Sequence, residues 1–477
     1  MKEYRELKSK LNRIQIEVMK SDIPVIIIFE GYSSSGKGTV ISKTIGAMDP
    51  RAYHVISSEH SEPSERRYTI LQDFFQNTPE YGRMSIFESS WYSDLAFDKV
   101  KNDRPDSEIN DQLKFINIFE RTLNDDGCII IKFFLDIDKN EQKKRFDKLL
   151  SKKNTKFRVS QNDRFQNKHF SKFKEAYEDF IERTNSSVAP WHIINSKDKD
   201  DAVFQVFSIL TEKIGSLICG GRNTEAKIYT GKDIILEPAK KLRESVFLES
   251  MDTYEYSEKL KSLKNKLKKL HGELYLKKIP VIVGFEGWDA AGKGGAIHRF
   301  GGALDPRGSE VIPIAAPSEL EKKHHYLWRF WRSLPKTGHI AIFDRTWYGK
   351  VLVERVEGFS SDTEWMRAYG EINEFEDYLV SGGHLIFKFF LNIDKDEQLR
   401  RFNLRQSVQE KHWKITDEDW RNREKWELYE TAIDDMLTYT NTLNAPWHVI
   451  SSNDKRASRI EILEIICRAI ERRLSGS

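Results

Sequence analysis

The chain has little cysteine, almost no excess charge and no long apolar run. Its three cysteines, Cys128, Cys219 and Cys467, are far apart in the sequence. Their odd number and wide spacing exclude a disulfide framework and a zinc-binding motif, which predicts a cytoplasmic protein in a reducing compartment. No apolar stretch approaches the length of a membrane span, and the first residues lack the apolar segment of a signal peptide. We therefore expect no membrane partner.

The charge balance limits the kinds of partner. Lysine and arginine total 77, aspartate and glutamate total 74, and the formal net charge is +3. This balance argues against a dedicated nucleic-acid binder, although local basic patches remain compatible with it. The 477 residues exceed one typical domain, so two or three domains are expected, each with its own core. The sequence does not determine the oligomeric state and is compatible with a homo-oligomer.

The sequence contains two copies of one domain. The matching segments, each pair 256 residues apart, are Asp49-Pro50-Arg51 and Asp305-Pro306-Arg307, Trp91-Tyr92 and Trp347-Tyr348, Phe133-Phe134-Leu135 and Phe389-Phe390-Leu391, and Ala189-Pro190-Trp191-His192 and Ala445-Pro446-Trp447-His448. A repeat of full domain length indicates a tandem duplication and not a solenoid. We predict an N-terminal domain at residues 1–214, a linker at 215–250 and a C-terminal domain at 251–477.

Apolar runs alternate with helical patterns in each copy. The elements predicted in the first copy are a helix at residues 3–20, strands at 24–30, 54–56, 84–87, 128–135 and 191–194, and a basic helix at 141–150. Strands that alternate with helices predict an α/β domain with a mainly parallel sheet. The second copy repeats this order, so two such domains are expected.

A glycine-rich turn follows the first strand of each copy. In the second copy it reads Gly287-Trp288-Asp289-Ala290-Ala291-Gly292-Lys293-Gly294-Gly295, and in the first Gly31-Tyr32-Ser33-Ser34-Ser35-Gly36-Lys37-Gly38. Such a turn before a helix directs backbone N–H groups and the positive helix end at one point, which suits phosphate. The lysine adds a charge that can reach a terminal phosphate. We predict a phosphate site at the carboxyl end of each sheet.

Two acidic residues of the second copy are candidate Mg²⁺ ligands. Asp344 ends a strand and Asp289 lies within the loop; Mg²⁺ usually takes one or two carboxylates together with phosphate oxygens and water. Gly294 stands where a serine or threonine usually follows the loop lysine, so we assign the metal role to Asp289. Arg345 is placed to neutralise a transferring phosphoryl group. The alternatives are a helix cap for Asp344 and a surface ion pair for Arg345.

The duplication favours the functional interpretation of these residues. The loop lysine and the strand-end acid are 51 residues apart in both copies, as Lys293 and Asp344 and as Lys37 and Glu88. A single match to the loop pattern occurs often by chance, whereas two matches in the same strand context do not.

Further basic residues flank the predicted cleft. Arg401 and Arg405 are four residues apart on one helix face. They predict either a lid that closes over phosphates and excludes water, or a solvated helix face. The segment Trp328-Arg329-Phe330-Trp331-Arg332 suits either a basic patch for nucleic acid or a core aromatic face. We expect no nucleic-acid partner.

Together the motifs resemble the polyphosphate kinase 2 family in its two-domain form. The matching segments, which span nearly the whole chain, are residues 287–295, Asp344-Arg345-Thr346-Trp347-Tyr348, Tyr326-Leu327-Trp328-Arg329-Phe330-Trp331, Lys411-His412-Trp413-Lys414 and Ala445-Pro446-Trp447-His448. The resemblance implies tandem P-loop kinase-like, three-layer α/β/α domains with helical lids. It also implies Mg²⁺ dependence and phosphoryl transfer between inorganic polyphosphate and a nucleotide, with AMP as the usual acceptor and ADP as the product.

The resemblance also implies roles for particular residues. Those in the catalytic positions are Asp289, Lys293, Asp344, Arg345 and Arg405, with Asp289 and Asp344 as metal ligands. We expect phosphate contacts from Gly287, Gly292, Gly294, Gly295, Arg329, Arg332, Lys350 and Arg401. Other acceptors such as ADP, an ATP-dependent nucleotide kinase, and a non-catalytic polyphosphate- or nucleotide-binding protein remain alternatives.

The first copy departs from the family pattern at the decisive positions. The residues that replace Asp289, Asp344, Arg345, Arg405, Arg329, Arg332 and Lys350 are, in that order, Ser33, Glu88, Ser89, Leu149, Asp73, Gln76 and Asp94. Loss of several charge-stabilising groups should reduce phosphoryl transfer by powers of ten. We therefore predict that the second copy performs the chemistry and that the first is a degenerate copy whose loop can still bind phosphate.

Overall fold

Two units, each built on a five-stranded sheet, make up the computed structural model of this chain. The structure describes residues 2–57, 66–219, 226–244, 250–409 and 415–476. The first unit is Met1–Asn223 with Ser318–Trp328, and the second is Thr224–Pro317 with Arg329–Ser477. The family-matching segment Lys411-His412-Trp413-Lys414 lies outside the described residues.

The first unit alternates strands and helices. Its strands are β1 (Val25–Gly31), β2 (Tyr53–Ser57), β3 (Met84–Glu88), β4 (Ile129–Asp136) and β5 (Trp191–Asn195). Its helices are α1 (Lys2–Lys20), α2 (Lys37–Ile45), α3 (Ile70–Phe75), α4 (Trp91–Val100), α5 (Asp106–Asp125), α6 (Lys139–Leu150), α7 (Gln161–Lys168), α8 (Phe170–Thr184) and α9 (Lys199–Cys219). The sheet order is β2-β3-β1-β4-β5, and each neighbouring pair is parallel.

The second half of the chain repeats this arrangement. Its strands are β6 (Val281–Gly287), β7 (Ser309–Pro313), β8 (Ile340–Asp344), β9 (Leu385–Asn392) and β10 (Trp447–Ser451). Its helices are α10 (Thr253–Leu276), α11 (Lys293–Gly301), α12 (Trp328–Trp331), α13 (Val353–Val356), α14 (Asp362–Ser381), α15 (Lys395–Ser407), α16 (Asp417–Glu424), α17 (Trp426–Thr440) and α18 (Lys455–Ser475). The parallel order β7-β8-β6-β9-β10 matches the first sheet.

The central strands are buried on both faces, as expected of a parallel sheet between two helix layers. Every residue of β1 is buried. Val25, Ile27 and Phe29 pack on one face against residues of α1, α2 and α9. On the other face, Lys132 of β4 bonds to Glu120 of α5. The predicted α/β/α layering with parallel sheets is therefore confirmed.

A buried polar network ties that second helix layer to each sheet. In the second unit, Lys388 Nζ lies 2.8 Å from Glu376 Oε2 and donates to the Tyr348 hydroxyl at 2.9 Å and the Thr440 oxygen at 2.7 Å. The first unit has the same network in Lys132, Glu120, Tyr92 and Thr184. Because every charge has a partner, the network stays compatible with a buried core. The repeated Trp-Tyr motif thus places its tyrosine in the core.

The described residues between the two sheets make more specific contacts than a linker pattern suggests. Helix α9 continues to Cys219, beyond the predicted domain end at residue 214. Part of the predicted linker belongs to the second unit, where the Tyr229 hydroxyl donates to Glu374 at 2.7 Å and Arg243 pairs with Glu430 at 2.7 Å. Specific polar contacts therefore hold residues within this segment against the second unit.

The strand order places the candidate site. β6 pairs with β8 on one side and β9 on the other, so the chain leaves the central strand in opposite directions. A crevice forms at the carboxyl ends of strands at such a point. Within the described part of the chain, no helix has both the length and the apolarity needed to cross a membrane.

Candidate active site

The loop after β6 depends on two glycines. Gly287 has a φ of +143°, and a Cβ there would lie 2.4 Å from the backbone oxygen of Leu391 on β9. Gly292, with a φ of +112°, is the residue from which α11 begins. Only glycine adopts these conformations without strain, and at Gly287 only glycine has room. The sequence thus fixes a tight turn that ends at a helix N-terminus.

Lys293 lies across this turn. Its Nζ donates to the backbone oxygens of Gly287 at 2.6 Å and Trp288 at 3.3 Å. Apart from its chain neighbours and the backbone of its own helix, no described residue has an atom within 4 Å of the place where a Cβ at Gly294 would be. The lysine ammonium and an unobstructed helix start therefore occupy one small region, as anion binding requires.

Asp289, Lys293 and Arg345 line one cavity of about 70 Å³ in the second unit. Asp289 Oδ2 accepts a hydrogen bond from Asn422 Nδ2 of α16 at 3.0 Å, and its Oδ1 lies 3.6 Å from Arg345 Nη2. Asp344 is the last residue of β8, next to Arg345, and pairs in register with Phe285. The loop carboxylate and the strand-end carboxylate thus lie at the carboxyl ends of adjacent strands.

The backbone at Arg345 is strained and held in place. Its φ is +67°, and its N–H donates to the Phe285 oxygen at 3.0 Å. The following residue, Thr346, donates from N and Oγ1 to Glu286 Oε1 at 2.8 and 2.7 Å. Burial raises the pKa of the Glu286 carboxyl. A left-handed conformation costs a non-glycine residue about 1–2 kcal/mol, so these contacts maintain the direction in which Arg345 leaves the strand.

The motifs did not indicate Glu286 as a site residue, although the repeat contains a signal for it. A glutamate precedes the first loop glycine in both copies, as Glu30-Gly31 and Glu286-Gly287. In the first unit Glu30 makes the equivalent bonds to Ser90, each at 2.7 Å. A carboxylate that recurs at the same position of a buried apolar strand indicates that it accepts specific hydrogen bonds there.

Arg401 supports the loop from within the protein. Nη1 donates to Ala290 and Ala291 oxygens at 2.9 and 3.0 Å, and Nη2 to Ser452 and Asn453 oxygens at 2.6 and 2.9 Å. The residue is only 3% exposed. A phosphate contact by Arg401 would require the exchange of some of these bonds, so its observed geometry is that of a loop-positioning residue.

Two cations that the motifs did not indicate lie beside the loop. Both come from the start of α18. A Cβ at Gly292 would lie 3.9 Å from Lys455 Cγ, and one at Gly295 would lie 2.7 Å from Arg459 Nη2. Burial and the charges of Arg401 and Arg459 lower the pKa of Lys455 to about 8. The repeat contains a signal for Lys455, because Lys199 occupies the matching position of the first copy, 256 residues earlier.

The remaining predicted residues do not line the 70 Å³ cavity. Arg405 is half-buried on α15, and its charge contributes to the lowered pKa of Lys455. Arg329 donates from Nη1 to the Ala315 oxygen at 2.9 Å, and Lys350 Nζ lies 3.1 Å from Glu354. Arg332 is exposed. Their phosphate contacts stay predictions.

The aromatic residues between Arg329 and Arg332 lie in a hydrophobic core. Phe330 and Trp331 are 2% and 4% exposed, and they pack in the second unit against Trp347 and Phe375. This burial supports the interpretation of the segment as a core aromatic face.

The strand order, the two helix layers and the glycine-rich loop at a helix start define an α/β protein of the P-loop kinase-like class. Within this class, the duplication of the loop together with its lysine points to one family. The chain belongs to the polyphosphate kinase 2 family, whose model matches residues 1–217 and again residues 250–476.

Similar proteins extend over nearly the whole chain. A polyphosphate:AMP phosphotransferase of Pseudomonas aeruginosa is 36% identical over 468 residues, which cover 98% of this chain and 94% of that protein. One of Acinetobacter johnsonii is 33% identical over 449 residues, which cover 94% of this chain and 91% of that protein. A crystal structure described as polyphosphate kinase 2 of Pseudomonas aeruginosa PA01 matches 100% of this chain and 96% of its own, with a TM-score of 0.84 and 34% identity.

Proposed function

We propose that this protein transfers the terminal phosphoryl group of inorganic polyphosphate to AMP, giving ADP, and that its second unit performs the reaction. The observation that carries the proposal is the meeting of Asp289, Lys293 and Arg345 at one phosphate loop. The first unit has Ser33 and Ser89 in place of the aspartate and the arginine. The polyphosphate:AMP phosphotransferases that resemble the chain over nearly its full length support the choice of substrates.

The donor end of polyphosphate binds at the start of α11. The backbone N–H groups of the loop and the Lys293 ammonium receive the terminal phosphate oxygens. Lys455 and Arg459 of α18 supply further positive charge beside the same helix start. This arrangement binds an anion with more charges than one phosphate carries.

The acidic residues suit a Mg²⁺ ion. Its ligands would be the carboxylates of Asp289 and Asp344, hard oxygen donors of the kind that Mg²⁺ prefers. The described residues contain no cluster of three or more acidic, histidine or cysteine ligands. Phosphate oxygens and water would therefore complete the coordination, as is usual for Mg²⁺ in such sites. When bound, the ion would neutralise charge on the phosphate oxygens.

The transfer itself needs no side-chain nucleophile. An oxygen of the AMP phosphate forms a bond to the terminal phosphorus, and the bond from that phosphorus to the bridging oxygen of the chain breaks. ADP and a chain shorter by one phosphate result. Arg345, 44% exposed and directed at the cavity, offsets charge on the transferring group. We assign the same role to Arg405 of α15, the helix for which the sequence predicts a lid. Positioning and electrostatics carry the rate.

The test separates the nucleotides formed from AMP, long-chain polyphosphate and Mg²⁺. Wild type and Lys268→Ala, which removes an exposed lysine of α10, should produce ADP, whereas Lys293→Ala should not. Full activity of Lys293→Ala would contradict the assignment of the second unit. ATP formed from ADP, without ADP from AMP, would keep the site and change the acceptor.

A further inference from the structure

The first unit keeps the shape of the phosphate loop. Gly31 and Gly36 have φ values of +136° and +110°, against +143° and +112° at the matching glycines of the second unit. Lys37 Nζ donates to the Gly31 oxygen at 2.8 Å, and the matching lysine of the second unit makes this bond at 2.6 Å. Helix α2 starts at Lys37. The cradle and its ammonium group are therefore intact in a unit that has serine in place of both the loop aspartate and the arginine.

The first unit also carries cations that the second lacks. Lys144, Lys148 and Lys152 are spaced four residues apart along α6 and the turn that follows it. At the last two positions the second copy has Leu404 and Val408. Lys148 and Lys152 are exposed and, among the described residues, form no ion pair. A row of lysines that leads away from the loop is an arrangement suited to a linear polyanion.

These residues line one large cleft. Its volume is about 1300 Å³, and among the described residues nine lysine and arginine side chains line it against three carboxylates. One of those carboxylates, Glu141, already pairs with Arg145 at 2.8 Å. From α9, Lys199 lies against the start of α2, with Cε 3.9 Å from the place of a Cβ at Gly36. The cleft exceeds the roughly 300–1,000 Å³ of ordinary small-ligand pockets, and positive charges outnumber negative ones in its lining.

A buried hydroxyl points to a ligand independently of the charges. Ser35 lies in the loop, is fully buried and lines the cleft, and its Oγ has no hydrogen-bond partner among the described residues. A buried polar group without a partner costs about 1–3 kcal/mol. The matching residue of the second unit is Ala291, so the hydroxyl is a feature of the first unit alone. An anion at the helix start would supply its acceptor.

We propose that the cleft of the first unit binds a linear oligophosphate, a segment of inorganic polyphosphate, without cleaving it. Lys37, Ser35 and the start of α2 bind one end of the segment, and Lys148 and Lys152 bind the phosphates that follow. The neutral Ser33 in place of Asp289 removes a carboxylate that would repel an anion when no metal ion is bound. The proposal rests on the geometry of the first unit and does not require the second unit to be catalytic.

The test measures equilibrium binding of long-chain polyphosphate to the full-length protein in EDTA, with Lys293→Ala present throughout to weaken the second loop. Lys148→Gln/Lys152→Gln should bind roughly tenfold more weakly, since two charged contacts are lost. The control, Lys8→Gln/Lys10→Gln, changes the same charge on the exposed face of α1 and should bind as the parent does. Ser35→Ala, which copies the second unit, should weaken binding severalfold at a melting temperature no lower than that of the parent, because it removes a buried hydroxyl without a partner among the described residues.

Competition by unlabelled long-chain polyphosphate, AMP, ATP and orthophosphate identifies the ligand. Displacement of polyphosphate only by other long chains is expected. Equal affinity of the Lys148→Gln/Lys152→Gln protein and its control would overturn the proposal, and tight displacement by AMP or ATP would make the cleft a nucleotide site instead. If the wild-type protein forms ADP normally but this binding is not found, the proposed function stands and the oligophosphate site does not. Binding without ADP formation would leave only the oligophosphate site.

Discussion

Arg345 offers a way to separate catalysis from stability, because its backbone is strained. Its φ of +67° costs a non-glycine residue about 1–2 kcal/mol. In Arg345→Gly that strain is relieved, but glycine adds about 0.5–1 kcal/mol of chain entropy. The half-exposed contact with Asp289 at 3.6 Å contributes about 0–1 kcal/mol. These terms nearly cancel, so the free energy of unfolding should change by less than about 1 kcal/mol.

Activity should respond very differently. An arginine that stabilises charge on a transferring phosphoryl group contributes about 10³–10⁵ in kcat. We expect ADP formation by Arg345→Gly to fall by at least about 10³, while the urea midpoint, followed by tryptophan fluorescence, stays near that of wild type. Ser89→Gly is the matched control, since Ser89 has a φ of +66° at the same position of the first unit. Undiminished activity, or a loss matched by destabilisation of more than about 3 kcal/mol, would refute the reasoning.

Three further predictions concern the second unit. The pKa of Lys455 is lowered to about 8, so its positive charge is lost as pH rises through 8; the KM for polyphosphate should increase between pH 7 and 9, and Lys455→Arg should flatten that pH profile. Gly287→Ala places a methyl group 2.4 Å from a backbone oxygen and should lower the melting temperature strongly. The control is Gly383→Ala, at a φ of +89° where no other described residue beyond its chain neighbours has an atom within 4 Å. It should lower the free energy of unfolding by only about 1–2 kcal/mol. Glu376→Gln leaves Lys388 buried without its counter-charge and should destabilise the protein by about 3–5 kcal/mol in denaturant unfolding; a change below 1 kcal/mol would mean that the ion pair is dispensable.

Local rules decided most of the fold. Buried parallel strands must be apolar on both faces, so their positions stand out in the sequence, and β1 at Val25–Gly31 lies within one residue of its predicted bounds. The loop is equally local, because a turn from a strand into a helix around positive-φ glycines needs Gly287 and Gly292 at fixed positions. The duplication then placed the same elements twice. The roles of the individual site residues stay predictions.

Contacts between distant segments decided what sequence patterns could not. The sequence predicts either a lid or a solvated helix face for Arg401, whereas the packing of α15 beside the loop buries its guanidinium against backbone oxygens. Lys455 and Arg459 lie more than 150 residues from the loop in the chain, and reach it because α18 packs against α11.

The sequence by itself therefore determined the duplicated α/β architecture, the two glycine-rich loops and the different residues that the two copies carry at them, because periodicity, glycine and charge act within short segments. Only the tertiary structure decided which cations surround each loop. The direction of a side chain depends on how its helix packs, and helix packing is a property of the whole core. The same holds for the lysine row along α6 and the following turn, and for the Ser35 hydroxyl, which has no partner among the described residues: only the folded first unit places them at one cleft.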